Sequence, residues 1–233
     1  MPGIRDVTLI PKQPFMVELS SNYYKYVVNA FGISHFYSFF VKDTDTISIS
    51  VPDGCIDMMI HYNKSRTCVG ADFYGTDLLP HSMKVFKGCT HFGVRFLPGY
   101  VPAFVDASMP EMIDRIIPFP EIAKGHDLPA IVAEQDQFMD QIGAFMQFYL
   151  KYYEKSVYDP YRTKFGLIAE IVKAYGNIRV EELSERTNYS VSYIDKIFLH
   201  EIGISPKSFS NILRFQWTLN KMVVSPEKRV DYN

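Results

Sequence analysis

Ser192, Asp195 and Lys196 carry the chemistry that most invites a functional reading. They fall in the stretch Val191 to Ile202, which Ser190 opens in an N-cap position and Gly203 follows, so the stretch reads as a helix. Ser192 and Lys196 stand four residues apart and project from one face. A lysine ammonium can donate to guanine O6 or N7, a serine hydroxyl reaches several base edges, and an aspartate can accept from a cytosine amino group or repel phosphates. The plainer reading is a solvated helix face, since any paired-helix protein can display such residues.

Other reactive side chains form no recognisable catalytic pattern. His35, His61, His81 and His91 are scattered, with no H-x-H pair followed by a suitably placed glutamate, so a metal enzyme has no positive support. No P-loop, G-x-S-x-G elbow or G-x-G-x-x-G fingerprint occurs, and neither catalysis nor a cofactor is expected. Cys55, Cys68 and Cys89 are odd in number and lack a C-x-x-C pair, which reads as buried free thiols.

The chain around Ser192 and Lys196 reads as α+β. Short runs rich in Val, Ile, Phe, Tyr and Thr predict strands at Tyr23 to Ala30, His35 to Val41, Thr46 to Val51, Ile56 to Tyr62, Ser82 to Phe86 and His91 to Phe96. An antiparallel barrel or sandwich is expected. Alternation in Thr46 to Val51 places Ile47, Ile49 and Val51 on one face, whereas Ile56 to Ile60 suits a strand covered on both. After Pro98-Gly99 the period becomes helical, with short helices predicted at Tyr100 to Ala107 and Pro110 to Ile117. A longer one spans Phe138 to Tyr153, where Phe138, Ile142, Phe145 and Tyr149 form a stripe that either packs on the barrel or joins two copies of the chain. Asp159-Pro160 then opens a helix to about Tyr175, with Phe165, Ile168, Ile171, Val172 and Tyr175 on one face and Gly176-Asn177 as its left-handed stop. A boundary near Ser156 to Asp159 divides residues 1–156 from 157–233.

Ile178 to Thr187 predicts a short helix, and Asn188-Tyr189 a tight turn before Ser190. Two short helices so joined make a helix-turn-helix, with Leu183, Ile194, Ile197 and Phe198 inward and small Ser184 allowing close approach. Leu183-Ser184, Tyr189 to Ile194, Phe198, Gly203-Ile204-Ser205-Pro206, Phe209 and Arg214 resemble the first helix-turn-helix of AraC-type transcription regulators. Phe215, Thr218, Leu219 and Met222 are similar to the helix linking that family's two units. The resemblance implies base reading by Ser192, Asp195 and Lys196, and a backbone phosphate contact by Lys207. Pro52 to Asp57 and Phe92 to Tyr100 resemble the cupin-like barrel often found in front of such domains, which implies an all-α helix-turn-helix domain following a sensing or dimerising barrel. Its partners would be double-stranded DNA, a small-molecule effector and a second copy of the chain. Within that barrel Arg95 has two readings, an anchor for an acidic ligand or a structural ion pair.

Three departures from the family pattern stand out. Arg179 occupies the place of a capping Ser, Thr or Asp, Glu182 loses its capping-box partner, and the chain stops about where a second helix-turn-helix is expected, which implies weakened DNA binding. A competing reading is a ligand-binding or dimerising module that does not touch DNA in this form. Charge is compatible with either: residues 1–159 hold 13 Lys/Arg against 18 Asp/Glu, and residues 160–233 hold 11 against 8. That mild basic excess is far from a strongly basic domain. With no long apolar run and no leader-like N-terminus, a cytoplasmic protein without membrane contact is expected.

Overall fold

The computed structural model describes residue 13 and residues 22–42, 49–82, 86–153 and 163–222. Strands come first: β1 (Tyr23–Ala30), β2 (Ile33–Phe40), β3 (Ile49–Ser50), β4 (Asp57–Tyr62), β5 (Cys68–Tyr74), β6 (His81–Ser82) and β7 (Thr90–Phe96). After them run α1 (Met109–Met112), β8 (Ile116–Pro118), α2 (Phe119–Ile122), α3 (Leu128–Ala133), α4 (Phe138–Tyr152), α5 (Thr163–Lys173), α6 (Val180–Thr187), α7 (Val191–Glu201) and α8 (Pro206–Met222). The chain is therefore α+β, an antiparallel sheet followed by helices.

The sheet has six strands in the order β1-β2-β7-β4-β5-β8, and β3 pairs with β6 in a separate two-stranded ladder. This corrects the expected barrel. Among the described residues β1 and β8 are open edges, and a second ladder only two residue pairs long cannot curl the sheet closed. Helices cover one face of the sheet instead. Phe36 meets Phe145 of α4 edge-on at 5.5 Å, and Phe73 stacks on Phe119 of α2 at 5.8 Å. Tyr149 of α4 hydrogen-bonds the Tyr100 hydroxyl at 2.7 Å, and its own hydroxyl donates to the Phe31 carbonyl at 2.5 Å. Each such aromatic, withdrawn from water, contributes about 1.5–3 kcal/mol.

Strand alternation divides β2, β4, β5 and β7 between two buried sides. Phe36, Met58, Ile60, Phe73, Phe92, Val94 and Phe96 join the helices in one core cluster, while Tyr37, Phe39, Met59 and Tyr74 form a second on the opposite side. β4 is buried along its whole length, as its sequence predicts.

Several elements differ from expectation. Tyr100 to Ala107 contains no helix; Val105 bridges to Ala123 in isolated β fashion. The helix expected over Pro110 to Ile117 shrinks to α1, because Asp114 takes a left-handed φ of 52° and β8 begins at Ile116 to pair with β5. Ile49 is exposed where Val51 is buried, since the β3–β6 ladder is too short to sustain alternation and Val51 exchanges backbone hydrogen bonds with the Gln13 amide. Ile47, the boundary at Ser156 to Asp159 and the Asp159-Pro160 helix start lie outside the described residues. Tyr175 leaves the face it was expected to share with Phe165, Ile168, Ile171 and Val172, and is half exposed.

The C-terminal helices rest on the sheet's loops, and one hydrophobic cluster runs from Ile33 to Leu213. Gly203 lies so close to α1 that a Cβ there would come within 2.9 Å of the Pro110 Cα. Buried Gln216 of α8 donates to the Pro52 carbonyl at 2.7 Å. No helix of the described residues is long and apolar enough to cross a membrane.

Candidate functional site

The α6–α7 pair is built around three buried side chains, Leu183, Ile194 and Phe198, with Ile197 half-buried beside them. Asn188 ends α6 in the left-handed region (φ 58°, ψ 24°), the conformation its short polar side chain tolerates. Two residues later Ser190 is extended, and its Oγ accepts from the Tyr193 N–H at 3.3 Å, capping α7. Ser184 donates its hydroxyl to the Tyr189 carbonyl at 2.5 Å, fixing the turn from the other side. Arg179 occupies the N-cap of α6 without a side-chain cap, and Glu182 pairs with Arg186 at 2.6 Å.

This framework leaves the N-terminal half of α7 in solvent. Ser192 and Lys196 are exposed one turn apart, and Asp195 between them is half-buried. Tyr193 is 41% exposed and its ring lies 5.2 Å from that of Tyr189 at the start of the helix. The C-terminal end is pinned by contrast, through Phe198, Ile202 and the Gly203–Pro110 approach. Lys207 is exposed in the first turn of α8, which Ser205 caps by accepting from Ser208 N–H at 3.1 Å. A helix held at one end, with hydroxyl and ammonium groups offered at the other, can present donors to a flat or grooved polyanion.

The sheet holds a second concentration of polar groups on the side away from the helices, of which sequence reasoning singled out Arg95 but not its partners. Cross-strand register places Asp57 opposite Arg95 and His61 opposite His91. Arg95 sends Nε and Nη2 to Asp57 at 2.7–3.0 Å and Nη1 to Asp53 at 2.8 Å, while Tyr37 donates to Asp57 at 2.9 Å. Burial alone would lower the Arg95 pKa, but the Asp53 and Asp57 carboxylates hold it well above its ordinary value. Burial pushes the Asp57 carboxyl up against the pull of Arg95, and the second carboxylate of Asp53 adds to the rise. All three kinds of guanidinium nitrogen are engaged, and the adjoining cavity of about 10 Å³ has room for a single water. Arg95 is thus a structural ion pair, without the space an acidic ligand needs.

His61 and His91, both fully buried, meet Nδ1 to Nδ1 at 2.6 Å. The Phe86 carbonyl lies 3.3 Å from His91 Nε2. His61 Nε2 lies 3.3 Å from Asp72. Burial, and after it the neighbouring His61, lower the His91 pKa to about 3. Among the described residues no three His, Cys, Asp or Glu side chains gather as metal ligands do. Asp57, Met59 and His61 alternate along β4, so the parity of that strand was the signal for this polar side. Cys55, Cys68 and Cys89 are free thiols; Cys55 and Cys89 are buried and Cys68 half-buried.

Residues 31–118 match a family described as a domain of unknown function, DUF6597. The matched stretch runs from the start of β2 to β8 and contains the whole Arg95 and His61–His91 arrangement; α6 and α7 lie outside it. No curated protein and no solved structure matches the chain.

Proposed function

We propose that the chain is a DNA-binding transcription regulator of the AraC type, with α6 and α7 as its helix-turn-helix and α7 as the helix that enters the major groove. The observation that carries this reading is the division of α7: Ile194 and Phe198 are buried while Ser192 and Lys196, one turn apart, face solvent beyond the capped start. Helices of this kind aim their N-terminal residues at base edges. Lys207, on the next helix, suits a phosphate contact that positions without specifying. Leu183 to Arg214 is also the stretch whose residues resemble that family. A single module of this kind buries roughly 600–1,000 Å² on DNA, so binding by one copy is weak and steeply dependent on salt.

Selection from a randomised duplex library at low salt tests the reading. Enrichment of a common sequence is expected. Lys196→Ala then relaxes preference at one or two positions, whereas Lys207→Ala weakens all duplexes alike and reduces the salt slope by about one. If no duplex is enriched and anisotropy shows no salt-dependent binding, the proposal fails.

A further inference from the structure

A groove of about 420 Å³ lies between the turn that ends α5 and the second half of α8, lined by Tyr175, Asn177, Arg214, Trp217, Thr218 and Lys221. Its volume falls in the range of small-ligand sites. We propose that it binds a small organic acid with a planar apolar body, independently of any DNA contact by α7.

The turn is shaped to leave this opening. Tyr175 adopts a left-handed φ of 56°, a conformation that bulky residues rarely take and that a structure retains only where its surroundings over-determine it. That conformation turns its ring outward onto Trp217, edge to face at 4.6 Å, leaving Tyr175 51% exposed. Gly176 then passes so close to α8 that a Cβ would stand 2.4 Å from the Ser210 carbonyl oxygen and 2.9 Å from the Arg214 Cγ. Only glycine permits that approach with its φ of 74°.

The lining has one sign of charge. Among the described residues Arg214 and Lys221 are exposed cations with no ion pair, the Arg214 guanidinium bonds to the Asn211 side chain, and no carboxylate lines the groove. An anionic charge and a flat apolar surface answer the two cations and the paired rings together. An aromatic carboxylate supplies both, whereas inorganic phosphate leaves the rings unused.

Trp217 is the single tryptophan of the chain, so its fluorescence reports the groove directly. The intact chain is titrated with benzoate, acetate, inorganic phosphate and benzylammonium at constant ionic strength. Benzoate should saturate the signal; acetate and phosphate should bind about tenfold more weakly or worse, and benzylammonium should not bind. Arg214→Gln should weaken benzoate about tenfold, the scale of one lost charge-assisted hydrogen bond, and exposed Lys221→Gln by a smaller factor, with circular dichroism unchanged in both. Absence of saturation with every probe, equal affinity for phosphate and benzoate, or undiminished benzoate binding in the double variant overturns the proposal. Displacement of benzoate by duplex DNA also overturns it, since that assigns the groove to a phosphate backbone.

Discussion

At the scale of single residues, the Arg95 arrangement sets one guanidinium against two buried carboxylates. Removing the cation while keeping its volume, as in Arg95→Met, leaves Asp53 and Asp57 buried without a counter-charge and should cost about 3–5 kcal/mol at neutral pH. The sign of the pH dependence follows from Asp57. Its pKa in the fold is already raised by burial, and loss of Arg95 removes the main group holding it down. The folded variant therefore takes up a proton at a pH where the unfolded chain, near 3.8, has not. Stability of Arg95→Met relative to the parent should recover as pH falls from 7 towards 5, measured by urea denaturation at each pH. A deficit that stays constant across that range would show that lost packing, not unpaired charge, is the cause. This arrangement was only half legible in the sequence. Arg95 was visible as a lone cation in a strand, but its partners come from β4 and the loop before it, and nothing short of strand register places Asp57 opposite Arg95.

At the scale of elements, local signals succeeded wherever a helix or strand carried its own punctuation. β1 was legible to both ends because its run of aromatic and β-branched residues is followed by Phe31-Gly32, and the α6–α7 turn because Asn188 and Ser190 each have a local reason to be there. β5 was missed because Gly70 and Asp72 interrupt its apolar pattern. Both are tertiary choices: Gly70 faces the His61 ring across the β4–β5 pair, and Asp72 meets His61. The helix expected at Tyr100 to Ala107 failed for the converse reason, since its apolar residues serve the core from an irregular loop in which Phe104 packs on Phe119 and Phe145. The N-cap of α6 remains a local misfit. Arg179 has the extended backbone of a cap residue (φ −84°, ψ 155°) and no side chain able to accept a hydrogen bond. Arg179→Ser should bond the free N–H groups of the first turn and allow Glu182 to complete a capping box, adding about 0.5–1 kcal/mol. In a chain of this size that is a rise of roughly 2–4 °C in melting midpoint per kcal/mol. An unchanged midpoint would mean that the pairing of Glu182 with Arg186 outcompetes the box.

At the scale of the whole molecule, described residues before 154 and after 162 share one core. Ile33 of β2 and Leu213 of α8 belong to one cluster, Gln216 reaches back to the Pro52 carbonyl, and the end of α7 sits on α1. Pro52 adjoins Asp53, which holds both Arg95 and the Gln13 amide, so the buried charges of the sheet lie one residue from a contact with the C-terminal helices. Elements joined in this way should unfold together, because opening the α5–α8 group exposes Phe209 and Ile202 along with the sheet loops that cover them. Trp217 reports α8 alone, whereas pulsed amide hydrogen exchange of the β2, β4 and β7 peptides weighs the sheet. Their urea transitions should coincide in midpoint and steepness. Gln216→Ala should shift both equally, by about 1–3 kcal/mol for the buried Pro52 carbonyl left without its donor. If the tryptophan transition instead precedes the sheet transition, and Gln216→Ala moves only the former, the helices form a separable unit and the shared cluster does not couple them.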